Sequence, residues 1–95
     1  MYRITLFRRQ DGTDAPITSV VVYDLLEVRG AAYHIALEHG LPTSRVARSQ
    51  MMLPGNLSKV LAIFGKTVIG LTEPENPTAP DNLIRDGILV EEVKE

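Results

Sequence analysis

The chain has 95 residues, 44% of them apolar and 23% charged, which fits one globular domain and excludes wholesale disorder and a two-domain architecture. A formal net charge of −2 gives no overall attraction to nucleic acid or anionic lipid, so binding of either would need a local basic patch. The absence of cysteine excludes disulfides, thiolate nucleophiles and Cys-containing zinc sites, and no run of about 18 uncharged apolar residues offers a membrane span.

The N-terminal stretch YRITLFRR, residues 2–9, alternates Tyr2, Ile4 and Leu6 with Arg3, Thr5, Phe7 and Arg9, the period of a half-buried strand. QDGTDAP, residues 10–16, reads as a hairpin loop, and the β-branched run ITSVVVYD then returns as a second strand antiparallel to the first. Residues 25–39 change to helical spacing, with Leu25, Val28, Ala32, Ile35 and Ala36 on one side, Asp24 as N-cap, and Gly40 and Pro42 as stop signals. RVARSQMML, residues 45–53, is expected to be a third strand ended by Pro54-Gly55-Asn56.

Residues 57–71 admit two readings. Leu57, Val60, Leu61 and Phe64 fit a helical face capped by Gly65, whereas the β-branched content and a Gly65-Lys66 connection fit a hairpin, the reading adopted for the element order. EPENPTAPD, residues 73–81, is a Pro-rich connector that spans on the order of 28 Å at about 3.1 Å per residue. It divides a core of residues 1–72 from a tail of residues 82–95, whose strand ILVEEV packs on the same domain or on a partner. The expected fold class is α+β: a mainly antiparallel sheet in β-β-α-β-β-(β) order with one main helix packed on it. In its opening β-β-α-β order, and in GLPTSRVARSQMML after the helix, the chain resembles the topology of ubiquitin-like β-grasp domains, although its end, EEVKE, lacks a conjugation diglycine.

IFGKTVIG, residues 63–70, contains a Gly-Lys-Thr that suggests a phosphate loop. Such a loop needs a second glycine five positions earlier so that its backbone N–H groups converge on the anion; Val60 stands there, and the stretch reads as a turn. His34 and His39 lie roughly 140° apart around a helix and cannot share a metal, so His34 with Glu38 reads as a surface pair and His39 as a cap on a helix carbonyl. Ser19, Ser44, Ser49 and Ser58 lack a nucleophile motif, and Asp11, Asp14, Asp24, Glu91, Glu92 and Glu95 fit turns, caps and a solvated terminus. No catalytic residue, cofactor site or metal site is assigned.

Two constellations point to partners. Arg8, Arg9, Arg45 and Arg48 fall at expected strand ends and would form a basic patch if those ends adjoin. Leu26, Gly30, Tyr33 and Leu37 make a second apolar line on the helix, more oily surface than one sheet covers, and so a candidate protein interface. The resulting expectation is a non-enzymatic cytoplasmic regulator, adaptor or inhibitor that binds another protein or a second copy of itself, with no membrane partner. The alternatives are a nucleic-acid-binding protein using the arginines, and a small-ligand protein or enzyme whose site is assembled from distant residues.

Overall fold

A computed structural model of the chain describes residues 1–73 and 84–94. Strands β1 (Tyr2–Gln10), β2 (Thr13–Val22), β3 (Lys66–Thr72) and β4 (Asp86–Glu92) form one antiparallel sheet in the order β2-β1-β4-β3. Helices α1 (Val28–Glu38), α2 (Ser44–Arg48) and α3 (Pro54–Phe64) occupy the chain between β2 and β3. The α+β class and antiparallel sheet agree with the sequence, and the order of elements does not.

The first hairpin is tighter than expected. Asp11 and Gly12 both take positive φ, 52° and 77°, the geometry of a two-residue turn whose twist matches the flanking strands, so β2 already begins at Thr13. Pro16 is tolerated because β2 is an edge strand, and the register skips Ile17 between the pairs Leu6–Thr18 and Phe7–Pro16.

Residues 45–53 correct the expected third strand: they form α2 and a 3-10 turn, Gln50–Met52, with Val46 and Met52 buried. Pro54, read as a strand terminator, instead starts α3, where a proline's missing N–H costs nothing. Asn56 Nδ2 donates to Gln50 O at 2.8 Å and fixes that entry. The adopted hairpin at 57–71 is likewise corrected to helix followed by strand, with Gly65 at φ 75° as the left-handed cap and its N–H on Leu61 O at 2.8 Å. With α2, the 3-10 turn and α3 in place of a third strand, the β-β-α-β opening shared with β-grasp domains is absent, and one main helix becomes three among the described residues.

The helices cover one face of the sheet. Ile4 and Leu6 of β1, Ile88 and Val90 of β4 and Leu71 of β3 meet Val28, Ala32, Ile35 and Ala36 of α1, Val46 of α2, Met52, and Leu57 and Leu61 of α3. Each large side chain fully buried here, Leu57 or Ile88 for example, contributes about 1.5–3 kcal/mol. The tail strand β4 lies centrally, between β1 and β3, which ties the end of the described chain into the core. Of the expected connector, residues 74–81 lie outside the described residues.

Candidate interaction surface

Helix α1 begins as its sequence requires. The Asp24 carboxylate accepts from Leu26 N–H at 3.0 Å while Glu27 Oε2 accepts from Asp24 N–H at 3.4 Å, a reciprocal box that starts a 3-10 turn, Leu25–Glu27, leading into the helix. The core stripe faces the sheet, and Arg29 donates to Ala47 O, fastening α1 to α2. Leu26, Gly30, Tyr33 and Leu37 fall roughly opposite that stripe by the 3.6-residue period. The fold leaves them uncovered: Leu26 is 70% exposed, Leu37 56% and Tyr33 40%. A Cβ added at Gly30 would meet nothing within 4 Å, so the fold itself does not require glycine there.

Leu26 also belongs to a second group. Glu92 N–H donates to Gly65 O at 3.0 Å, and Glu92 pairs with Tyr2, which pairs with Val22, so the end of α3 and the exit of β2 share one end of the sheet. Helix α3 packs beside the 3-10 turn at that end. Tyr23 and Leu26 follow β2 and Ile63 and Phe64 precede β3 at this end, each between 70% and 73% exposed. Phe64 has the same helical azimuth as Leu57 and Leu61, but it projects past the sheet that shelters them. Its ring also lines a depression of about 930 Å³ on the helix-free face of the sheet, together with Thr5, Val68 and Leu89 and the charged Arg3, Lys66 and Glu91. Phe7 fills the floor on that face: it is buried, packed where Gly87 has no side chain, with the Arg9 guanidinium 5.7 Å from its ring centroid.

The four arginines are distributed. Arg8 Nε donates to buried Asp86 at 2.9 Å, and Arg9, on the opposite face of β1, makes a two-point bond to Asp14 at 2.6 and 3.2 Å. Arg45 and Arg48 come together beside β3, lining a depression of about 690 Å³, where Arg45 bonds Glu73 at 2.7 Å. The Arg9 bond lowers the pKa of Asp14 below its ordinary carboxylate value, with the Arg9 charge adding to the effect and burial opposing it.

His34 Nε2 lies 2.8 Å from Glu38 Oε1 on the solvent side, and His39 Nδ1 lies 2.9 Å from Ile35 O, the surface pair and carbonyl cap expected of them. Among the described residues, no group of three or more His, Asp or Glu side chains could hold a metal ion. Among the same residues no helix is long and apolar enough to cross a membrane. The sequence gives no sign that Tyr23, Ile63 and Phe64 are exposed, because apolar residues at the ends of elements carry the same periodic signal as core ones. No family model matches the sequence, and no curated protein or solved structure is significantly similar to it.

Proposed function

We propose that the protein is a non-enzymatic intracellular adaptor or regulator that docks another protein on the apolar end of the domain and the outer face of α1. The observation that carries this reading is that Tyr23, Leu26, Ile63 and Phe64 are each at least 70% exposed at the end of the sheet where β2 exits and β3 enters, in a domain this small. Leu26 is in line with the exposed Tyr33 and Leu37 by helical spacing, so a partner on the outer face of α1 would bury aromatic and aliphatic anchors. Burial of apolar area is the driving force, and the complex resists salt.

Retention of a partner from a lysate of the native cell, washed at high salt, tests the reading when wild type is compared with Leu26→Asp. The expected result is a protein retained by wild type and lost from Leu26→Asp, while Arg48→Ala retains it. Retention unchanged in Leu26→Asp, or a partner released by salt and lost with Arg48→Ala, overturns it. The second outcome would favour an electrostatic ligand such as nucleic acid.

A further inference from the structure

We propose that the protein also self-associates through the free edge of β2, a second copy of the chain adding its own β2 antiparallel so that two four-stranded sheets become one. The inference concerns a different surface from the apolar end and does not depend on the reading given to that end.

The two edges of the sheet are treated differently. At the β3 edge, Lys66 opens the strand and the ladder shifts register between Gly70 and Thr72. Helix α2 also sends Arg45 over that edge: a Cβ built on Gly70 would lie 3.5 Å from Arg45 Nη1 and 3.1 Å from Ile84 Cγ1. Charge, irregularity and overlying side chains are the devices by which strands avoid pairing with other molecules. The β2 edge lacks most of them. Residues 15–23 carry no charge, and Ile17, Val20 and Val21 are 40–46% exposed. Pro16 and the unopposed Ile17 interrupt only the half near the turn. Residues 18–22 form an unbroken ladder with β1, and among the described residues no other strand pairs with them.

The composition of this run selects its occupant. An added strand must be uncharged and β-branched to match TSVVV, and every copy of the chain presents such a strand. Centred on Val20, the antiparallel register sets Val20 against Val20 of the second copy, Ser19 against Val21 and Thr18 against Val22. Asp24 then falls opposite Pro16, so no like charges meet. Moving the centre toward the turn would bring Pro16 and Ile17 into the ladder, where a missing N–H and an unpaired residue break it. A strand pair of this length buries less than the roughly 800 Å² per partner of a standard interface, so the dimer is weak and concentration-dependent.

Sedimentation equilibrium of the full chain from about 10 μM to about 1 mM is the direct test, with an expected rise in mass toward that of two chains. Val20→Lys places two ammonium groups face to face and weakens dimerisation roughly tenfold or more, with far-UV circular dichroism confirming the fold. Because the chain lacks cysteine, Val20→Cys supplies a second readout that needs no loss of stability. Facing residues of an antiparallel pair have Cα atoms roughly 4.5–5.5 Å apart, within disulfide range. Mild oxidation therefore links Val20→Cys chains into dimers, whereas Leu37→Cys, on the outer face of α1, does not link at the same concentration. A chain that stays monomeric throughout, a dimer indifferent to Val20→Lys, or Leu37→Cys chains that cross-link as fast as Val20→Cys chains would each overturn the proposal. Leu26→Asp leaves the dimer intact, which separates this result from failure of the apolar-end reading.

Discussion

The two ends of the sheet solve opposite problems. At the end near the β1–β2 turn, polar groups are brought in and satisfied. Asp86 is buried and holds Arg8 at 2.9 Å, accepts the Thr72 hydroxyl at 2.8 Å, and returns its own N–H to Thr72 Oγ1 at 3.0 Å. Outside it Arg9 pairs with Asp14 and Arg45 with Glu73. At the other end Tyr23, Leu26, Ile63 and Phe64 face solvent, although transfer from water would favour each of them. One end is complete in the single chain. The other gains only if something covers it, and that asymmetry, rather than overall hydrophobicity, makes the apolar end the candidate for function.

If the polar end is where the fold is secured, changes there should cost stability. The largest expected effect is at Gly87, next to Asp86 in β4. A Cβ at this position would sit 2.6 Å from Phe7 Cζ and 3.1 Å from Ile69 O, one contact to a buried ring and the other to backbone, and neither can retreat cheaply. Gly87→Ala is expected to destabilise by about 3 kcal/mol, the upper range for overpacking. In a domain of this size that lowers Tm by roughly 15 °C in a thermal melt. A Tm within a few degrees of wild type would mean that the Phe7 ring is free to move off the strand.

A glycine on the uncovered face of α1 should behave in the reverse way. Gly30 lies in the first turn of α1, its position is open, and no positive φ demands it. Gly30→Ala is expected to stabilise the free protein by about 0.5–1 kcal/mol in urea unfolding, through lost chain entropy and better helix propensity. If the α1 face admits a partner closely, the same substitution weakens docking, so stability and binding move apart. Unchanged or lowered stability would show that the helix is constrained there in some other way.

How much of this was legible depended on whether a residue's neighbours in sequence were also its neighbours in space. The alternation of β1, the Asp24 cap and the Ala32–Ala36 spacing are local signals, and they indicate a first hairpin and the helix after it, although not the tight turn that starts β2 at Thr13 or the 3-10 turn that precedes α1. Pro54 is ambiguous locally, since the same residue ends a strand or begins a helix, and as an ending it leaves residues 45–53 to read as β. Val60 and Ile63 added β-branched weight to residues 57–71, which the packing of Leu57 and Leu61 overrode. The exposure of Leu26, Tyr33 and Leu37 followed from counting apolar flanks against one sheet. That of Phe64 could not be read, because it depends on how far α3 overhangs a sheet whose extent the sequence leaves open.

The smallest expected effect tests whether the polar end is secured by burial or merely by the number of its ion pairs. Asp14 is nearly half exposed, and its bond to Arg9 holds its pKa below the ordinary value. A carboxylate whose folded pKa is depressed contributes stability above its unfolded pKa and loses it as pH falls through the folded value. Asp14→Asn should therefore cost no more than about 0.5 kcal/mol at neutral pH, the range of solvent-screened pairs, and the difference from wild type should vanish in acid once Asp14 is protonated. Urea titrations at pH 7, 4 and about 2 would measure this. A gap that persists at the lowest pH would mean that Asp14 acts through packing or turn geometry instead of charge. A gap well above 1 kcal/mol at neutral pH would show that exposed pairs, and not buried Asp86 alone, hold this end together.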